Sequence, residues 1–370
     1  MNRNKSANIR KQLLDLIAEG QLKPGDRVWS ENEIVSTFGT SLTTANRVLS
    51  QLAMSGYIER IQGKGSFVKR ANGLSRNRPS IGLIVPDVTS SFYADMISEC
   101  EVEARNAGVL TVFANTRDNP VVEAEFLAML REEHASGLIL VASKTTFQNR
   151  ELIAELAQET PVVVVDLLLD GIEADFVVND NEDGGFQAAT HLLSIGRRRI
   201  LHLAGDEGNS AAEGRLQGYR RALREWEIQV DRSLVVRTGW TEQCGYDAVH
   251  AALKQGREFD AVFAACDAVA AGAITALEER QIVVPSSVAV VGFANQTEYL
   301  VRGFSITTVD QHSQKLGAKA IELLIEATDE KANRTSKRTW VLPTALLVRR
   351  STQDSDDAAV LARTRMGVTR

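Results

Sequence analysis

The chain has 370 residues, of which 44% are hydrophobic and 24% charged, the composition of a soluble globular protein long enough for two or three domains. No apolar run approaches the roughly 20 residues of a membrane-spanning helix, and the basic N-terminus (MNRNKSANIRKQ) lacks the apolar stretch of a secretory signal, so a cytoplasmic protein without a membrane partner is expected. The net charge of −6 is unevenly spread: residues 1–78 hold 13 Lys and Arg against 6 Asp and Glu, while the remainder carries a net −13, as suits a small polyanion-binding head on an acidic body.

In chain order, Ile9, Leu13, Leu14, Leu16 and Ile17 recur at helical spacing up to Gly20. Lys23-Pro24-Gly25-Asp26 is a turn. Ser30-Glu31-Asn32-Glu33 has the form of a capping box, opening a short helix that carries Ile34, Val35 and Phe38 and stops at Gly39. Thr40 or Ser41 can cap a third helix running to Ser55, with Ala45, Val48, Leu49 and Leu52 facing inward. Tyr57–Ile61, a Gln62-Gly63-Lys64-Gly65 turn and Ser66–Val68 form a hairpin. Residues 71–80 are polar and broken by Gly73 and Pro79, a linker after a head spanning 1–70.

From Ile81 short apolar strands alternate with amphipathic helices. The strands are 81–85, 110–115, 137–142, 161–166, 199–205, 261–266 and 288–293, with helices between them, for example at 94–107 and 121–133. Continuous apolar strands alternating with helices specify parallel sheets covered on both faces, and this many suit two doubly wound sheets better than one. Residues 354–370 are polar and charged, expected to be a disordered tail.

Two helices joined by a tight turn and followed by a hairpin are the organisation of a winged helix-turn-helix. The third helix presents Leu42, Thr43, Thr44, Asn46 and Arg47 outward near its N-terminus. Asn suits adenine and Arg suits guanine, each through two hydrogen bonds in the major groove. Thr43 and Thr44 could equally cap the helix. Lys64, between two glycines at the hairpin tip, can approach a phosphate or the minor groove, and Ser30 joins these DNA-contact candidates. The stretch LKPGDRVWSENEIVSTFGTSLTTANRVLSQLAMSGYIERIQGKGSFV resembles the head of GntR-type bacterial regulators nearly end to end. The resemblance implies that the SxxTxxR region enters the major groove and that the GxG turn forms a wing, giving roles to Thr44, Asn46, Arg47 and Gly63 to Gly65. Two positions depart: Trp29 stands in place of a usual Pro, and Leu42 in place of a usual Arg at the start of the recognition helix.

The larger part resembles the effector-binding body of LacI/GalR-type regulators over about 81–350. The carrying blocks include IGLIVPDVTSSFYADMI, VVNDNEDGG, HLLSIGRRRILHLAG, RLQGYRRAL, AVFAACDAVAAGA and TTVDQHSQKLGAKA. The pairing of head and body resembles arabinose-repressor-type regulators. The fold class expected is α/β, a small winged helix-turn-helix followed by a two-lobed, doubly wound parallel-sheet domain of periplasmic-binding-protein-like type I. The lobes would comprise 81–181 with 309–327, and 182–305 with 332–350, holding a small-molecule effector between them at the C-terminal ends of strands.

The resemblance assigns Arg215, in RLQGYRRAL, to the effector's polar groups. Phe92 could stack on a ligand ring or fill the core, and Trp240 could supply a flat wall of the kind sugar sites use. Asp166 and Asp267 could accept from hydroxyls or cap turns and helices. Asn295 and Gln311 complete the set. Gly292-Phe293-Ala294-Asn295 departs from the usual GF/YDD, and Cys266 from a usual Asn, so a sugar acid becomes a candidate effector alongside neutral sugars.

No nucleophile elbow, zinc-protease helix, P-loop or dinucleotide fingerprint is present, and Ser66–Lys69 fits SxxK only formally, on the wing and without partner motifs. The five histidines show no metal-ligand spacing, and Cys100, Cys244 and Cys266 read as reduced thiols. The expectation is a repressor of carbohydrate genes rather than an enzyme, using neither cofactor nor metal, homodimeric, with double-stranded operator DNA and a sugar or sugar acid as partners. A transport solute-binding protein is the alternative, disfavoured by the DNA-binding head.

Overall fold

The computed structural model describes residues 2–18, 20–54, 57–61, 64–68, 79–143, 146–329 and 337–353. The expected linker 71–78, the wing residue Gly63 and the tail 354–370 lie outside the described residues. The chain forms two compact units, Met1–Arg78 and Pro79–Arg370.

The first unit contains α1 (Asn2–Ala18), α2 (Glu31–Phe38) and α3 (Leu42–Met54), then β1 (Ile58–Ile61) and β2 (Gly65–Val68) paired antiparallel. Ala45, Val48, Leu49 and Leu52 recur every three or four residues on α3, so they share one face and pack, fully buried, with Ile9, Leu13, Ile34 and Ile58. The capping box at α2 is formed: Ser30 Oγ accepts from the Glu33 amide at 3.3 Å, and the Ser30 amide donates to Glu33 Oε2 at 2.6 Å. Gly39 ends α2 in the left-handed region at φ 55°, where a Cβ would add strain.

The second unit contains two six-stranded sheets. The first collects β3 (Ser80–Val85), β4 (Leu110–Asn115), β5 (Gly137–Val141), β6 (Val162–Val165) and β7 (Asp175–Asn179), with α4 (Ser91–Asn106), α5 (Pro120–Glu132) and α6 (Arg150–Glu159) between them. The chain then enters the second lobe through α7 (Asn181–Ser194), β8 (Ile200–Leu203), α8 (Ser210–Glu225), β9 (Val235–Val236) and α9 (Glu242–Lys254). That lobe continues with β10 (Ala261–Ala264), α10 (Asp267–Glu279), β11 (Ala289–Phe293), α11 (Thr297–Val301) and β12 (Thr307–Asp310). It returns through α12 (Ser313–Asp329) to β13 (Thr339–Leu342), and ends on β14 (Ala345–Leu347) in the second sheet. The strand orders are β13-β7-β6-β5-β3-β4 and β14-β12-β11-β10-β8-β9. Pairing is parallel except where β14 meets β12. Each sheet buries apolar clusters on both faces, as its continuous Val, Ile and Leu runs require.

The lobe boundaries differ from those expected. β13 pairs with β7 in the first sheet, Trp340 opposite Val177, whereas the expectation from sequence places residues 332–350 wholly in the second lobe. Pro343 explains the split. A proline cannot donate to a ladder, so the strand breaks after Leu342 and the chain crosses before β14 begins. Likewise Val309 and Asp310, assigned to the first lobe, belong to β12 of the second sheet, and only α12 beyond them packs on the first. Strands β7, β9, β12, β13 and β14 escape the apolar-run pattern because they are short or carry Thr, Asp and Asn.

Candidate functional site

A cleft of about 700 Å3 lies between the two sheets of the second unit, lined by loops that follow the C-terminal ends of β3, β4, β5, β6, β10 and β11. Of the residues expected there, Phe92, Asp166, Arg215, Trp240 and Gln311 line it, and Asp267 and Asn295 do not.

Arg215 projects from α8, which lies in backbone contact with α7. A Cβ added to Gly218 would fall 2.0 Å from the Glu182 carbonyl oxygen, and one on Gly185 would fall 2.3 Å from that of Arg215. This close crossing brings Arg215 to Asn181, whose Oδ1 accepts from Nε at 2.9 Å. Nη1 donates to the Ala265 carbonyl, Nη2 reaches Gln311 Oε1 at 3.4 Å, and the guanidinium lies 3.8 Å above the Phe293 ring. Two of its five N–H groups are left without a protein partner among the described residues. Burial lowers its pKa to about 10, with Asp166 opposing the shift, so the group stays charged at neutral pH.

Asp166 follows β6 at φ 77°, a conformation that an L side chain adopts only under constraint. Its Oδ1 is buried with no hydrogen-bond partner among the described residues. Burial raises its pKa and Arg215 opposes this. Phe92 packs into the first-lobe core, as one of its two readings requires, while its side chain also lines the cleft and meets Tyr93 edge-on at 5.1 Å. Trp240 stands half-buried on the opposite lobe, its Nε1 donating to Asp206 at 2.9 Å, and Gly205 at φ 73° lets the ring approach the backbone.

Asp267 is 1% exposed and sits behind the wall. Its Oδ2 accepts from the Gln296 amide at 2.8 Å, and a Cβ on Gly292 would lie 2.0 Å from Oδ1, so the carboxylate shapes the 292–296 loop instead of facing the cleft. Burial pushes its pKa up to about 7. Asn295 turns away too, its Oδ1 accepting from Arg349 Nη2 at 2.6 Å.

Residues that the sequence reading did not single out complete the site. Asp87 and Asp118 lie in the loops just beyond the C-terminal ends of β3 and β4, a position that the strand-end rule points to. Gln296 bridges the lobes: its Oε1 accepts from the Ala268 amide at 3.2 Å, and its Nε2 donates to Ser90 Oγ at 2.9 Å. The Thr297 amide reaches Ser91 Oγ, and the Leu168 amide reaches Ser210 Oγ, both at 2.9 Å, so the lobes also touch there. Between the lobes Gln311 and Asn179 exchange hydrogen bonds: Gln311 Nε2 donates to Asn179 Oδ1 at 3.0 Å, and Asn179 Nδ2 to the Gln311 carbonyl at 2.9 Å. Arg215 is therefore tied to two crossover segments, through Asn181 and Gln311.

In the first unit, Leu42, Thr43, Asn46 and Arg47 are exposed on α3, and Lys64 is exposed in the wing turn. Thr44 is engaged in capping, its amide donating to Ser41 Oγ at 3.3 Å and its hydroxyl sharing a 2.9 Å bond with it. Ser30 is half-buried in its capping box. Gly65 adopts φ 111°, and the Arg27 side chain lies over it.

The family of periplasmic binding proteins and sugar binding domain of LacI family matches residues 78–349, and the bacterial regulatory proteins of the gntR family match residues 5–68. The HTH-type transcriptional regulator DegA of Bacillus subtilis (strain 168) is 26% identical over 336 residues, 86% of this chain and 97% of the relative. The HTH-type transcriptional repressor PurR of Vibrio atlanticus is 26% identical over 81% of this chain and 92% of its own. The solved complex of the transcriptional regulator CelR with cellobiose superposes with a TM-score of 0.67 at 27% identity, covering 84% of this chain and 91% of that one. The chain thus belongs to the family of periplasmic binding proteins and LacI-type sugar-binding domains and, with its GntR-type head, is a DNA-binding transcriptional regulator.

Proposed function

We propose that the protein is a cytoplasmic, homodimeric repressor of carbohydrate genes, released from its operator when a neutral sugar closes the interlobe cleft. The observation that carries this reading is the pairing, in one chain, of a basic winged helix-turn-helix with a cleft walled by Phe92, Tyr93 and Trp240 and floored by Arg215. Aromatic faces suit the apolar side of a sugar ring, and the free N–H groups of Arg215 with the unpartnered Asp166 Oδ1 suit its hydroxyls. The charged lining favours a neutral ligand over a sugar acid. Among the described residues that line the cleft, Asp87, Asp118, Asp166, Glu242 and Glu298 face one cation, Arg215, a balance that repels an anionic ligand. The cellobiose complex of CelR accords with that preference. On the DNA side, Thr43, Arg47, Lys64 and Gly65 are the contacts assigned to operator.

Fluorescence anisotropy of the full-length protein on duplex from its own upstream region, at two salt concentrations and titrated with sugars and sugar acids, tests the whole reading. Salt-sensitive binding that a neutral sugar weakens is expected. Arg215→Lys, which cannot reproduce the fork to Asn181 and Ala265, should bind DNA normally and lose at least ten-fold in sugar affinity. Release by sugar acids alone would overturn the neutral-ligand assignment.

A further inference from the structure

The outward face of α3 offers four side chains, Leu42, Thr43, Asn46 and Arg47, at spacings that set them side by side on a helix. Asn46 has the chemistry to read adenine, yet both ends of its amide are already engaged. Nδ2 donates to Glu31 Oε1 at 2.8 Å, and Oδ1 accepts from Ser50 Oγ at 3.2 Å and from Arg60 Nη1 at 3.5 Å. Arg60 in turn pairs with Glu31 at 2.6 Å and donates to Ser50 at 3.0 Å, so α2, α3 and the wing strand β1 meet on one polar knot. A bidentate contact from Asn46 to a base would require dismantling that knot.

Two larger side chains remain. Arg47 has no ion pair or hydrogen bond among the described residues, and a guanidinium reads guanine O6 and N7. Leu42, the first residue of α3, is 54% exposed, an apolar side chain held in water at the end of the helix that would enter the groove. It has neither donor nor acceptor. On the major-groove edge of B-DNA the one apolar feature is the thymine 5-methyl group. We infer that Leu42 is a specificity-determining residue that packs on a thymine methyl in each half-site, beside the base contact made by Arg47. Burying one methyl against it gives an effect of roughly four-fold in affinity. The inference rests on the operator-binding reading above.

The test begins with duplexes selected from a random library by the full-length protein. Each thymine of the selected site is then replaced by uracil, which removes only the methyl. At one position per half-site uracil should weaken binding roughly three- to ten-fold. In Leu42→Ala, whose side chain is too exposed to affect folding, thymine and uracil at that position should bind alike. A selected duplex indifferent to uracil throughout, or an equal uracil penalty in Leu42→Ala, overturns this inference while leaving operator binding intact. Recovery of no duplex at all overturns the operator-binding reading and this inference with it.

Discussion

Asp267 shows how one buried carboxyl couples the cleft wall to pH. Its first oxygen rests against Gly292 and its second accepts the Gln296 amide, and burial pushes its pKa from 3.8 to about 7. Between those values the folded state holds a proton that the unfolded chain releases, so this group costs stability progressively as pH rises from about 4 to 7. A shift of that size corresponds to about 4 kcal/mol at most. Asp267→Asn, neutral throughout and still able to accept from the Gln296 amide, should therefore raise the urea midpoint at pH 8 and leave it nearly unchanged at pH 4. Equal midpoint shifts at both pH values would show that the carboxyl ionises normally. The same residue illustrates the ambiguity of a carboxylate at a helix start. Whether it faces a ligand or holds a loop is decided by the glycine opposite, 25 positions later in the chain.

At the scale of elements, the contact of α7 with α8 sets the position of Arg215. Gly218 stands where any side chain would strike the Glu182 carbonyl. Gly218→Ala should force the helices apart, cost about 1–3 kcal/mol, and lower sugar affinity without altering operator affinity in the absence of sugar. Denaturation by urea and sugar titration of the same preparation check both parts. Preserved sugar affinity in a destabilised variant would mean that Arg215 tolerates the shift. The wing acts on a different partner. Lys64 is exposed at its tip, and Lys64→Ala should flatten the dependence of log affinity on log salt by about 1 per head while leaving base preference unchanged. A slope equal to that of the wild type would place Lys64 away from phosphate.

Over the whole molecule, regulation requires that sugar and operator favour different states of the same chain. The lobes meet through Gln296 with Ser90, Thr297 with Ser91 and Leu168 with Ser210, and they are joined by the Asn179–Gln311 pair, so a ligand in the cleft bears on contacts between them directly. Linkage makes the coupling reciprocal: whatever factor sugar removes from operator affinity, saturating operator must remove from sugar affinity. A factor of about 5 to 150 is expected, measured by titrating sugar calorimetrically with and without duplex. Sugar affinity unchanged by operator would break the proposed mechanism even if both ligands bind.

Local pattern was enough for the elements whose formation depends on near neighbours. The capping box at Ser30, the inward face of α3 and the seven apolar strands follow from spacing and side-chain type, which act within a turn or a strand. The charge division between residues 1–78 and the remainder was likewise plain in composition. What the chain order left open was decided at long range. Pro343 sends β13 and β14 to different sheets, a split visible only once β7 supplies the partner. That the Asn46 amide is engaged by Glu31 and Arg60 is visible only in the folded head. Asp267 and Asn295 look like cleft residues until Gly292 and Arg349 draw them aside. Side-chain type and helical register are local properties and survive in the sequence. The direction in which a polar group spends its hydrogen bonds depends on which distant residues folding brings within 3 Å of it.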